Sequence, residues 1–360
     1  MATAAILPLV FGLALLVVGA ELLVRGATRL AMALGMSRLV IGLVVVALGT
    51  SAPEIAVSTG AALQGKAALA LGNVVGSNVF NVLFILGATA VIAPLAVRHR
   101  LVRIDIPLMV VAGMVLAAMA LDGGLSRLDG VLLLVLAVAY MLMNLRLGRK
   151  ESLEEAPATD KTTRGARILV VAAALVLVGL VGLVIGARLS VTAASDIARA
   201  FGASDLVIGL TIVAAGTSLP EVVTSVLAAV RGERDIAIGN VVGSNILNIT
   251  VVLGLASVVS AGALDVVRGA LTVDIPVMIA VSLALLPIAF TGQTITRWEG
   301  ALFLAYYVGY VVYLFLTASV HPRVDELAFA LLWFVMPLTV IVLVAAVWQE
   351  VRRRRRRPAP

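Results

Sequence analysis

Two carboxylates lie inside apolar stretches where a membrane helix would ordinarily carry none. Glu54 closes GTSAPE within LVIGLVVVALGTSAPEIAVSTGAAL, and Glu221 closes GTSLPE within LVIGLTIVAAGTSLPE. Pro53 has no N–H for the carbonyl of Gly49, and Pro220 has none for that of Gly216. Carbonyls freed inside a bilayer are tolerated only where protein, water or an ion satisfies them. Thr50, Ser51 and Glu54 set hydroxyl and carboxylate oxygens beside one break, and Thr217, Ser218 and Glu221 repeat them at the other. Such oxygens suit hard cations; Ca²⁺ takes about 6–8 of them at about 2.3–2.6 Å. One proline-broken helix with nearby hydroxyls is compatible with packing alone. Two copies, each followed at the same distance by GNVVGSN, point to a site, and an intramembrane carboxylate is a functional marker.

The second motif adds further oxygens. In GNVVGSNVFN, Gly72 and Gly76 form a small-xxx-small pair that invites close helix approach. Ser77 and Asn81 are one helical turn apart and share a face. Gly239, Gly243, Ser244 and Asn248 repeat the arrangement. Asn73, Asn78, Asn240 and Asn245 are expected mainly to bond neighbouring helices. Asp105 and Asp274, each before Ile-Pro, are expected as helix N-caps. Glu21, whose repeat mate is Arg188, suits interfacial pairing or gating, and pairing is the favoured expectation.

These residues must be positioned by membrane spans. The chain of 360 residues is 62% hydrophobic and 13% charged, with a mean hydropathy of +1.13, against about 25% charged in a typical soluble domain. Apolar runs of about 20 residues match the bilayer core. They predict eleven spans near 4–24, 39–63, 67–93, 104–121, 128–146, 167–187, 206–230, 236–260, 271–290, 299–318 and 327–348. The first run lacks a basic leader and reads as a span rather than a cleaved signal. With the N-terminus outside and the C-terminus cytoplasmic, 21 of the 27 basic residues fall on the cytoplasmic side, including the tail Arg352 to Arg357. That tail reads as a lipid-headgroup anchor rather than a nucleic-acid surface. Cysteine is absent, so thiolate sites are excluded, and His99 and His321 lack partners at metal-ligand spacing.

The chain repeats itself. Residues 39–54 return at 206–221 and 72–87 at 239–254, the latter pair identical at ten of sixteen positions. RIDIPLM at 103–109 echoes in TVDIPVM at 272–278. The expected architecture is therefore an all-α polytopic membrane protein of two five-helix repeats, 1–146 and 167–318. A cytoplasmic linker at 147–166 joins them; an extra span at 327–348 and a basic tail at 349–360 follow. Five spans per repeat is odd, so the second copy is inverted, as in secondary transporters with a midplane site.

The paired motifs GTSAPE…GNVVGSNVFN and GTSLPE…GNVVGSNILN resemble the two alpha-repeats of the cation/calcium exchanger superfamily, sodium/calcium exchanger type, over 1–318. The resemblance implies a central Ca²⁺ site of Glu54 and Glu221 with the carbonyls of Thr50 and Thr217. It implies flanking Na⁺ sites: Ser51, Ser77 and the carbonyl of Ala47 with Glu54, and Ser218, Ser244 and the carbonyl of Ala214 with Glu221. Asn81 and Asn248 would face the middle position, and the first and sixth spans would slide over the rest. Well-studied sodium-dependent members often carry aspartate at one of the two positions held here by Asn81 and Asn248. One carboxylate fewer gives weight to H⁺ or K⁺ coupling. The linker also has no room for the cytoplasmic calcium-sensing domains of animal members.

The expected activity is thus antiport in an inner membrane, Ca²⁺ leaving against Na⁺, with no resident cofactor and the ions as cargo. Two glutamates match one Ca²⁺ or two Na⁺, and competition for shared ligands is a physical basis for exchange. A Ca²⁺/H⁺ or K⁺-dependent antiporter is the rival on the same scaffold. A cation channel would be expected to show rings of ligands from several subunits, whereas two halves in one chain are compatible with a monomer. No nucleophile and base pair marks an enzyme.

Overall fold

A computed structural model describes residues 2–155, 166–201 and 214–318, with single positions 212, 344 and 348. The expected eleventh span, apart from those last two positions, lies outside the described residues. So do the arginine tail, His321, the middle of the linker and most of the start of the seventh span. The helices are α1 (Ala2–Leu34), α2 (Arg38–Thr50), α3 (Ala52–Leu63), α4 (Ala67–Ile92), α5 (Leu101–Asp122) and α6 (Arg127–Glu155). They continue with α7 (Ala166–Ala200), α8 (Leu219–Val230), α9 (Arg234–Val259), α10 (Ala270–Phe290) and α11 (Arg297–Ala318). Among the described residues eight helices are long and apolar enough to span a membrane, or nine if the bent pair α2–α3 counts as one.

Helix boundaries depart from the apolar runs where the backbone has no reason to stop. No Gly or Pro interrupts α1 between Gly26 and Gly35, whose φ of +60° ends the helix. At 33 and 35 residues, α1 and α7 are each about 50 Å long, more than the roughly 30 Å apolar core. Much of the expected linker is likewise helical, because α6 runs to Glu155.

Two short strand pairs reveal the inversion. Strands β1 (Leu95–Ala96) and β2 (Gly124–Leu125) flank α5; β3 (Leu264–Asp265) and β4 (Thr294–Ile295) flank α10. β1 pairs antiparallel with β4, and β2 with β3. The repeat-equivalent strands β1 and β3 therefore lie at opposite ends of α5. An upright repeat would place them at the same end.

Asp105 and Asp274 are not N-caps. Each ends a π-helical turn that runs on into an α-helix, without a side-chain capping bond. Instead the Tyr140 hydroxyl donates to Asp105 at 3.4 Å and the Tyr310 hydroxyl to Asp274 at 3.3 Å. These bonds tie α5 to α6 and α10 to α11. Buried Arg100 adds an ion pair to Asp105 at 3.5 Å in the first half. Glu21 pairs with Arg25 and with Arg231 at 3.0 Å, as an interfacial partner should. His99 bonds Gln293 at 3.1 Å.

The two long helices cross backbone to backbone. A Cβ added to Gly12 would sit 2.9 Å from the Gly186 carbonyl, and one on Gly186 would sit 2.8 Å from the Gly12 carbonyl. Gly19 and Gly179 are reciprocal in the same way, at 2.9 and 2.7 Å. This closeness comes from glycines seven apart in each helix, a signal in the sequence that the motif reading passed over. Gly19→Val is expected to destabilise the detergent-solubilised protein by about 1–3 kcal/mol through overpacking. Gly60→Ala, where a Cβ meets nothing within 4 Å, should leave the melting temperature unchanged or raise it. Equal melting temperatures for both variants would contradict the crossing.

Candidate ion-binding site

The helix breaks fall at Ser51 and Ser218, whose backbones leave the helical region at φ −77°, ψ 8° and φ −91°, ψ 9°. The chain bends by 46° between α2 and α3. Pro53 and Pro220 are each the second residue of the helix that restarts, where a missing N–H costs no helical bond. Glu54 and Glu221 are the third residues, in the first turns of α3 and α8, so a positive helix end faces each carboxylate. The Ala47 carbonyl accepts the Ser51 N–H at 3.1 Å, which leaves it one lone pair. Ala214 opens the short helical turn Ala214–Gly216 before the second break.

Both carboxylates are buried, each 1% exposed. Each is held by a hydroxyl of the opposite half: Ser218 donates to Glu54 Oε1 at 2.9 Å, and Ser51 to Glu221 Oε1 at 3.2 Å. Ser77 lies 3.3 Å from the Ser218 hydroxyl. This grouping differs from the one the resemblance implies, since Ser77 and Glu54 meet Ser218 rather than Ser51. An inverted pair of breaks carries each serine past its own glutamate to the other's.

A further set of bonds crosses the halves. Thr50 donates to Asn240 Oδ1 at 3.0 Å, and Asn240 donates to Ser225 at 2.9 Å. Their repeat mates do the same: Thr217 donates to Asn73 at 3.5 Å, and Asn73 to Ser58 at 2.9 Å. Asn73 and Asn240 thus bond neighbouring helices, as expected. Asn81 and Asn248 each open a π-helical segment, Asn81–Leu86 and Asn248–Leu253. Such turns occur often at functional sites.

After these bonds, specific oxygens remain. Glu54 Oε2, Glu221 Oε2, Asn81 Oδ1, Asn248 Oδ1 and Ser244 Oγ are buried without a hydrogen-bond partner. No third His, Asp or Glu joins the two glutamates among the described residues. Isolated buried carboxylates are costly unless paired or bound to a cation, and these unpaired oxygens suit one.

The repeated glycines behave unequally. A Cβ on Gly239 would lie 2.9 Å from the Leu39 carbonyl, and one on Gly243 2.3 Å from that of Leu43. On Gly72 or Gly76 it meets nothing within 4 Å among the described residues. Gly72 is exposed and Asn73 half-buried, whereas Gly239 and Asn240 are buried. The expected close approach is seen at the second glycine pair. At the end bearing β1 and β4, Arg38–Glu233 and Arg98–Asp235 pair at 2.8 Å.

Two inverted halves that cross-brace a pair of buried carboxylates at broken helices define a cation antiporter. More particularly, the chain belongs to the sodium/calcium exchanger family: the model of the sodium/calcium exchanger protein matches residues 4–146 and 171–316. The sodium/calcium exchanger MaX1 of Methanosarcina acetivorans is 35% identical, over 88% of this chain and 99% of that protein. The inner membrane protein YrbG of Escherichia coli is 38% identical, over 77% and 87%. Among solved structures, the sodium-calcium exchanger NCX_Mj soaked with 10 mM Na⁺ and zero Ca²⁺ superposes with a TM-score of 0.75. It is 34% identical, with 86% of this chain and 98% of that chain covered.

Ser218 and Ser244 should separate stability from ion binding. Ser218→Ala removes a hydrogen bond to a carboxylate and is expected to cost about 1.5–3 kcal/mol in cation-free protein. Ser244→Ala removes a hydroxyl that has no partner, so unfolding in the same medium should move by less than about 0.5 kcal/mol. A larger cost for Ser244→Ala would refute this division.

Proposed function

We propose that this antiporter exchanges Na⁺ for Ca²⁺, exporting Ca²⁺ across an inner membrane by alternating access. The observation that carries the reading is the cross-bracing of Glu54 and Glu221: one oxygen of each is spent on a serine of the other half, and one is unpaired. Their formal charge of −2 calls for one Ca²⁺ or two Na⁺. The two loads draw on the same carboxylates, so binding of one displaces the other. Thr50, Thr217 and the carbonyls of Ala47 and Ala214 complete the proposed ligand set, with Ser77 and Ser218 on the Glu54 side and Ser51 and Ser244 on the Glu221 side. Asn81 and Asn248 occupy the middle. The names of MaX1 and NCX_Mj favour this ion pair. One observation favours a second reading, coupling to H⁺ or K⁺: positions 81 and 248 are both amides, so the site holds only two carboxylates.

Orientation follows from charge. The β1–β4 end gathers Arg38, Arg98, Arg100 and Arg231, and Lys66 lies at the other end. Placing the arginine-rich end in the cytoplasm puts the N-terminus outside. The bonds at that end then close the cytoplasmic path, and the exposed Gly72 face belongs to an outward path.

Vesicles loaded with Na⁺ and diluted into Na⁺-free buffer should take up radioactive Ca²⁺. Uptake driven by a pH gradient, with Na⁺ inert, would replace Na⁺ by H⁺. Glu54→Gln and Glu221→Gln should each lower the rate at least about 100-fold, as expected for losing one partner of a buried charge arrangement. The chain has no cysteine, so Gly72→Cys creates a unique thiol. A membrane-impermeant maleimide should label it in intact cells. Labelling only in inverted vesicles would reverse the orientation.

A further inference from the structure

Four asparagines meet where the halves touch, all between 0% and 2% exposed. The Asn78 side-chain amide donates to the backbone carbonyl of Asn245 at 3.1 Å, and the Asn245 amide donates to that of Asn78 at 3.4 Å. A backbone carbonyl can only accept, so each of these side chains must turn its NH₂ towards it. That removes the usual ambiguity between the amide nitrogen and oxygen. Each NH₂ also approaches a thioether, Met278 at 3.5 Å from Asn78 and Met109 at 3.4 Å from Asn245.

The rest follows by elimination. With its NH₂ committed, Asn78 offers only Oδ1 to Asn248, which must answer with its own NH₂, at 3.1 Å. Asn245 likewise offers Oδ1 to the NH₂ of Asn81, at 2.9 Å. The atoms left over are Oδ1 of Asn81 and Oδ1 of Asn248, buried and without a partner, like the second oxygens of Glu54 and Glu221.

We propose that Asn78 and Asn245 are positioning residues: each locks one amide of the other half so that Asn248 and Asn81 present carbonyl oxygen, not N–H, to the cation. Without the lock, half a turn about the last side-chain bond would aim N–H dipoles at the cation and repel it. The wiring is specific, Asn78 acting on Asn248 and Asn245 on Asn81. The inference rests on the reading that cations bind among Glu54, Glu221, Asn81 and Asn248.

The test is a pair of double-mutant cycles read as the KM for Ca²⁺ uptake into Na⁺-loaded proteoliposomes. Asn78→Ala should raise KM about tenfold, the scale of one lost hydrogen bond. In an Asn248→Ala background it should add less than about twofold, because no amide is left there to orient. In an Asn81→Ala background the full factor should persist. Full multiplication with Asn248→Ala, or equal coupling to both backgrounds, would leave only a general structural role and overturn the lock. If Asn78→Ala does not yield folded protein, the mirror cycle of Asn245→Ala with Asn81→Ala and Asn248→Ala carries the same test, and Asn78→Ser supplies a milder variant. Absence of Ca²⁺ uptake in the parent protein would strike the exchange reading instead. The cycles are then read from the Na⁺ concentration that half-maximally raises the melting temperature.

Discussion

Two carboxyl groups are buried in the middle of a membrane protein, and among the described residues no basic side chain pairs with them. Taking a carboxylate out of water costs several kcal/mol even after the protein relaxes. The fold meets that cost with fixed dipoles. A helix restarts at Ala52 and another at Leu219, each presenting its positive end two residues before a glutamate. The prolines that follow look like breakers in the sequence, yet in the structure they are suitable early residues of new helices. The unusual residue in each break is the serine, which leaves the helix and carries its hydroxyl to the opposite glutamate.

That exchange of hydroxyls explains why the halves must be inverted and interlocked. The hydroxyl on each glutamate belongs to the other half: the donor to Glu54 comes from the second repeat and the donor to Glu221 from the first. The same reciprocity runs through Thr50 with Asn240, Thr217 with Asn73, and Asn78 with Asn245. A site assembled this way is sensitive to any shift of one half against the other. If cations bind as proposed, coupling of occupancy to access needs no separate transmitting element, because the proposed ligands are themselves the contacts between the halves.

Much of this was legible in the residues, and the reasons for the rest are physical. The duplicated motifs marked Glu54, Glu221 and their hydroxyl neighbours, because chemistry that expensive in a bilayer is not repeated by chance. Inversion followed from an odd number of spans, and the strand pairs show it directly. The sequence could not show which serine reaches which glutamate, since that depends on how the broken helices cross. Nor could it show that equivalent positions differ in exposure: Gly72 and Gly239 open the same motif, yet Gly72 is exposed and Gly239 buried. Asp105 and Asp274 looked like caps because Pro follows so soon after. They lie inside helices because π-helical turns carry the chain past them, leaving the carboxylates to tyrosines.

Equivalent positions at the two breaks also meet the long helices differently. Leu180 and Val191 both belong to α7. A Cβ on Gly49 would come within 2.6 Å of the Leu180 side chain, and one on Gly216 within 2.2 Å of the Val191 side chain. A strict two-fold would set Gly216 against α1, at the repeat mate of Leu180, which is Leu13. Instead both breaks lean on the same helix. The α1–α7 crossing itself is built on reciprocal glycines, with Leu16 and Leu175 set over Gly186 and Gly26. The glycines beside Thr50 and Thr217 are therefore the surface on which α7 rests against both breaks.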